Sequence, residues 1–170
     1  SRSAHHYMDS FQRARHGRQD QPFKPLMVRT LAEQQAELPD WRLDHLEILS
    51  DSTGIFQHAT YTIPNFDEGY CTDDNARALL LTALLGELGQ DAPEIQRLAT
   101  TTAAFLQAAF NPKHGRFRNF MSFDRRWLEE VGSEDCHGRA LWALGACVGR
   151  SRRPDLPPWA AARMSSAVAR

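Results

Sequence analysis

The chain repeats itself. Gly54-Ile-Phe56-Gln-His58 returns as Gly115-Arg-Phe117-Arg-Asn119, 61 residues later. Asp73-Asp-Asn75-Ala-Arg77-Ala-Leu79 returns as Asp135-Cys-His137-Gly-Arg139-Ala-Leu141, 62 residues later. Two motifs in the same order, one residue out of register, define a unit of helix, helix and long loop. Such a unit cannot bury its apolar helices alone, so it must stack on its neighbours or close into a ring.

Apolar periodicity places the helices of the unit. In the first stretch, residues 5–16 are expected to form a short helix and RHGRQDQPFKP a linker. A helix from Pro25 to Glu37 is expected to stop at Pro39. Asp40 then caps a helix that sets Leu43, Leu46 and Leu49 on one face. GIFQHATYTIPNFDEGYCT has turn, β-branched and aromatic residues but no helical period. It reads as a long ordered loop with a short strand pair. Asp73–Leu88 is helical, closed by Gly86 and Gly89. The next helix takes Asp91 as N-cap, Pro93 in its first turn and Glu94 at the capping-box position. NPKHGRFRNFMSFDRRWLEEVGSED is a second long loop, HGRALWALGACVG a second inner helix, RSRRPDLPP a break and WAAARMSSAVAR a last helix.

Ala76–Leu88 and Ala140–Val148 are apolar almost all round and are expected to be buried on every side. The helix over 91–110 instead carries Ile95, Leu98, Leu106 and Phe110 as one stripe. Alternation of the two kinds predicts an inner row of helices backed by an outer row. The fold class is therefore all-α: repeated helical hairpins with long loops, forming a partial (α/α) toroid truncated at its C-terminus. Residues 1–22 read as a tail or linker and 23–170 as the toroid.

At 42% hydrophobic and 24% charged residues, the composition is that of a globular protein. A net charge of −1 gives no general attraction to nucleic acid. No apolar run reaches the ~20 residues of a membrane span, and the opening residues do not form a secretory signal. Cys71, Cys136 and Cys147 are odd in number and make no CxxC pair, which favours reduced thiols and a cytoplasmic location.

The chemistry gathers at the two inner-helix starts. Asp73/Asp74 and Glu134/Asp135 each place two acids there, with Arg77 four residues after Asp73 and Arg139 four after Asp135. One reading is structural: one acid of each pair caps its helix, and Asp73–Arg77 and Asp135–Arg139 are i,i+4 ion pairs. The other is a substrate site, with Asp73, Asp74, Glu134 and Asp135 as candidate catalytic acids. His58, Tyr70, Asn75, Arg77, Trp127, His137 and Arg139 would be its substrate contacts. Packed helices lie about 8–10 Å apart, which permits the ~6.5–9.5 Å spacing of an inverting glycosidase pair. His58 and His137 with Asp73 and Asp135 lack the tight spacing of a metal site, so no metal is expected. Aromatics beside carboxylates and amides suit a carbohydrate better than a phosphate-rich ligand, and there is no Gly-rich phosphate loop, GxSxG elbow or HExxH.

LDHLEILSDSTGIFQHATYTIPNFDEGYCTDDNARALLLTALL and FRNFMSFDRRWLEEVGSEDCHGRALWALG, within residues 40–150, resemble the helical C-terminal region of bacterial group 1 glycosyltransferase proteins. That resemblance implies an (α/α)6-like toroid following a GT-B-type transferase domain, whose tail YMDSFQRAR resembles more weakly. It implies a nucleotide-sugar donor for the upstream domain, no cofactor in this chain, and a glycan acceptor as partner together with the remaining toroid helices. The transferase's own donor-binding motifs are not in this chain. The alternatives are a non-catalytic helical scaffold that docks domains and a stand-alone inverting hydrolase.

Overall fold

The structure, a computed structural model, describes residues 41–168. All but Trp41 belong to one compact unit, Arg42–Arg170. The expected helices over 5–16 and 25–37, the Pro39 stop, the Asp40 cap and the boundary at 22/23 lie outside the described residues.

The described chain is mostly helical, with three small antiparallel strand pairs. Helix α1 is Asp44–Ile48, α2 Thr72–Glu87, α3 Pro93–Ala109, α4 Glu134–Arg150 and α5 Leu156–Val168. Strand β1, Ala59–Thr60, pairs with β2, Ile63–Pro64. Strand β3, Tyr70–Cys71, pairs with β6, Phe120–Met121, and β4, Phe110–Asn111, pairs with β5, Arg116–Phe117. Helices α2 and α4 pack on each other, and each packs on the helix that follows it. The main core lies between them, with Leu79, Leu106, Phe117, Ala140 and Leu144 fully enclosed. None of the described helices is long and apolar enough to cross a membrane.

Three expectations need correction. Helix α3 is capped by the backbone of Ala92, without a side-chain hydrogen bond, and Pro93 supplies its first residue. Asp91 instead accepts a hydrogen bond from the Gln96 side chain. The second inner helix begins three residues earlier than HGRALW suggests, because Ser133 caps it. Finally, neither α2 nor α4 is buried all round: Leu88 is 75%, Trp142 61% and Val148 43% exposed, on faces no described element covers.

The internal repeat is real in backbone geometry. In the first copy, Ser50 bridges Ile55 and Phe56 N–H donates to Leu49 C=O, closing a hairpin around Gly54. In the second, Asn111 pairs with Arg116 and Phe110 with Phe117 around Gly115. Helix α1 therefore holds the place that the last turn of α3 holds one unit later.

Candidate functional site

Helices α2 and α4 each start from an extended residue whose side chain accepts the N–H three residues on. At α2 this is Cys71, whose Sγ accepts from Asp74 N; at α4 it is Ser133, whose Oγ accepts from Cys136 N. The acids are therefore not the caps, contrary to the sequence reading. They lie inside the first turn, where the helix dipole favours negative charge. Cys71 and Ser133 occupy the same place 62 residues apart, a signal present in the sequence but hidden by the conspicuous acids.

Asp73, Asp74, Asp135, Arg77 and Arg139 join in one chain of ion pairs across the two helices. Arg77 lies 2.7 Å from Asp73 Oδ2 and 3.1 Å from Asp74 Oδ1. Arg139 Nε lies 2.9 Å from Asp135 Oδ2, to which it donates, and 2.6 Å from Asp73 Oδ1. Asp73 is thus the hub, paired with Arg77 as the i,i+4 spacing predicts and also with the equivalent arginine of the next unit. Its Oδ1 is buried and accepts no hydrogen bond, since the Arg139 N–H is directed to Asp135. Burial raises the Asp73 carboxyl above its ordinary pKa, against the pull of Arg77 and Arg139, and the charges of Asp74 and Asp135 add to the rise. Asp73 and Asp135 share one guanidinium nitrogen, so the Arg139 side chain occupies the place between them that the water of an inverting pair would need.

Glu134 pairs with Arg116 at 2.8 Å but is 88% exposed, and the hydrogen bond from that guanidinium lowers its pKa. Asp135 is 70% exposed. Asp74 accepts the Cys71 thiol proton at 2.9 Å. A helix start ordinarily acidifies a thiol; here burial dominates, and the hydrogen bond to Asp74 helps keep Cys71 protonated.

The remaining candidates divide by burial. Tyr70 is 1% exposed, and its hydroxyl donates to Asp51 at 2.7 Å; burial and that bond push its pKa up to about 12. Asn75 is fully enclosed: its Oδ1 accepts from Ile55 N and its Nδ2 donates to Cys71 C=O. Both are core residues that hold the first hairpin on α2. A Cβ at Gly54 would stand 2.6 Å from Asn75 Oδ1, so only glycine lets the hairpin approach. His137, at the place of Asn75 in the second unit, rests its ring 5.6 Å from that of Phe117, and its buried Nδ1 has no partner. Burial and Arg116 lower its pKa. Trp127 is partly covered, its ring edge-on to Phe105 at 5.5 Å and under the Arg118 guanidinium at 5.7 Å. His58 is exposed on the hairpin between Phe56 and Asn65.

Asn119 and Glu129 carry more of the site than the sequence suggests. Asn119 C=O accepts from Thr72 N at 2.8 Å, and its Oδ1 accepts from Asp73 N. Glu129 in turn accepts from Asn119 N at 2.7 Å and from Phe120 N. The second loop is thereby sewn to the start of α2. It carries Phe120 and Phe123, and Phe123 stacks on Phe66 of the first loop at 4.7 Å with planes 8° apart. Phe66, Phe120 and Phe123 are 50%, 38% and 49% exposed. The close approach depends on Gly69, at φ +61°, where any Cβ would collide with the Met121 carbonyl oxygen. A cleft of about 290 Å³ opens beside α2 between Leu49, Phe56, Gln57, Asp74 and Arg77. Another, of about 530 Å³, lies at the far end of α2 among Gly86, Gln96 and Arg152. Among the described residues no group of His, Cys, Asp and Glu has the arrangement of a metal centre.

Compared with protein-family models, curated proteins and solved structures, the chain gives no match.

Proposed function

We propose that the chain is a carbohydrate-binding helical region, part of a partial (α/α) toroid that accompanies a bacterial glycosyltransferase domain and receives its acceptor glycan. The nucleotide-sugar donor belongs to that transferase domain. The observation that carries this reading is a set of exposed rings on the two loops: Phe66 stacked on Phe123, and Phe120 at the start of α2. Phe120 pairs with Cys71, which caps α2, so this residue stands beside the helix start that bears Asp73 and Asp74. Apolar sugar faces lie flat on such rings, while hydroxyls pair with carboxylates. Asp135 and Glu134, the most exposed acids of the four, are placed to accept hydroxyls. Each acid is already matched to a guanidinium, an arrangement that suits recognition better than proton transfer, which needs a group free to gain and lose a proton.

A second reading, a scaffold for docking domains, is favoured by one observation: the Asp73–Arg139 bridge ties the two helices together. Titration of oligosaccharides into the chain, followed by amide chemical shifts, separates the two. Saturable shifts at Phe120, Phe123 and Asp135, weakened about tenfold or more in Phe123→Ser with an unchanged melting temperature, support the glycan reading; tenfold corresponds to about 1.4 kcal/mol. Absence of any shift across glucans, mannans and amino-sugar oligomers sinks it in favour of the scaffold.

A further inference from the structure

The repeat also states what the two open faces of the helix pair are made to meet. On α2, Asp73 and Glu87 bridge to α4 through Arg139 and Arg150. The stripe between them, Ala76, Leu80 and Ala83, therefore faces α4, and all of it is buried or half-buried. Sixty-two residues later the same stripe reads Asp135, Gly138, Trp142, Gly145 and Gly149. On α4 it looks outward: Asp135 is 70% and Trp142 61% exposed. A tryptophan there leaves a large apolar area in water that a packed helix would remove.

The opposite side of the pair shows the complementary half. On α4 the face turned to α2 carries Arg139 and Arg150; the equivalent positions on α2 are Arg77, 51% exposed, and Leu88, 75% exposed. Among the described residues, one side of the α2–α4 pair thus presents an acid and a tryptophan, the other an arginine and a leucine. They are placed as the two sides of the α2–α4 contact are.

We infer that the α4 face bearing Asp135, Gly138 and Trp142 docks the Arg77 face of α2 in a second copy of the chain, repeating the α2–α4 packing head to tail. In this contact Arg77 of the incoming copy reaches Asp135 as Arg139 reaches Asp73, and its Leu88 comes to Gly149 as Arg150 comes to Glu87. The contact is heterologous, since it uses two different surfaces, and its products are short rows or rings.

Sedimentation velocity of the 170-residue chain over a concentration series tests this. Wild type is expected to gain mass with concentration. Nothing lies within 4 Å of a Cβ added at Gly145, so Gly145→Gln leaves the single chain intact and, by removing a helix-interior glycine, holds or raises its melting temperature. In the docked helix that side chain blocks the approach, and the variant is expected to stay monomeric throughout. Arg77→Asp and Asp135→Arg are each expected to be monomeric alone and to associate again when mixed, because opposite charges then meet at both kinds of contact. The inference is overturned by a wild type that remains monomeric at the highest concentration. It is equally overturned by association that survives Gly145→Gln, or by a mixture of the charge variants that stays monomeric.

Discussion

The starts of α2 and α4 are the same backbone device filled in two ways. Each leaves an extended loop, takes its cap from a small polar side chain and sets an aspartate against an arginine four residues on. At α2 the device is enclosed. Asn75 holds the first hairpin, Asn119 reaches in from the second loop, and Asp73 is left 19% exposed between two arginines. At α4 the equivalent aspartate stands 70% exposed, and the place of Asn75 is taken by a histidine with one buried nitrogen unpartnered. The lesson is that a repeat copies backbone geometry, while burial is decided by what lies on either side. Asp73 has a neighbouring unit to bind and Asp135 offers the same charge outward.

The largest expected contrast is between Leu79 and Leu141, equivalent leucines of the two helices. Leu79 is wholly enclosed, so Leu79→Ala should cost about 2–5 kcal/mol in denaturant unfolding. Leu141 is only partly buried against the same core, and Leu141→Ala should cost less than half as much. Equal losses would mean that the two helices are equally enclosed in solution.

Next comes Asn75 against His137. Replacing Asn75 by alanine leaves Ile55 N and Cys71 C=O without their buried partner, a loss of roughly 1–3 kcal/mol for each group left unsatisfied. His137→Ala removes a ring whose buried nitrogen was already unpaired, and its cost should be smaller. Thermal melts of the two variants decide the matter. A His137 variant as damaged as the Asn75 variant would show that the histidine has an essential partner.

The smallest contrast is in pH. The folded-state pKa of Asp73 is raised above its ordinary 3.8, so the neutral form is favoured by folding. Its contribution to stability is complete below that value and is lost as pH rises through the folded pKa. Glu134 is shifted the other way, below 4.5; its contribution is present above that value and is lost as pH falls through the folded pKa. Measured upward from below pH 3.8, the stability difference between wild type and Asp73→Asn should therefore shrink as pH rises past that value. The difference between wild type and Glu134→Gln should grow as pH rises toward 4.5 and then stay level, by little in all, because Glu134 is open to solvent. Slopes of the same sign for both would break the distinction between the enclosed and the open helix start.

Some of this was legible before any coordinates. The motifs 62 residues apart marked two equivalent helix starts, and the i,i+4 spacing correctly paired Asp73 with Arg77 and Asp135 with Arg139. The stripe of Ile95, Leu98 and Leu106 located the buried side of α3. These are local properties, set by the helical period and by side chains within one or two turns of each other. The caps were misread because the choice among Cys71, Asp73 and Asp74 depends on which residue is extended. The pairing of β3 with β6 helps set that, and it joins residues some 50 positions apart.

What the sequence alone determined is therefore the repeat, the helical class and the chemical character of the two helix starts, because these follow from residue order and a period of 3.6. Tertiary structure decided which copy is enclosed and which is open. It spread one ion-pair chain over both helices through Asp73 and Arg139, brought Phe66 and Phe123 face to face, and left Trp142 in water. The shared motif cannot by itself encode that difference. Burial is a property of neighbours, and the two copies have different neighbours.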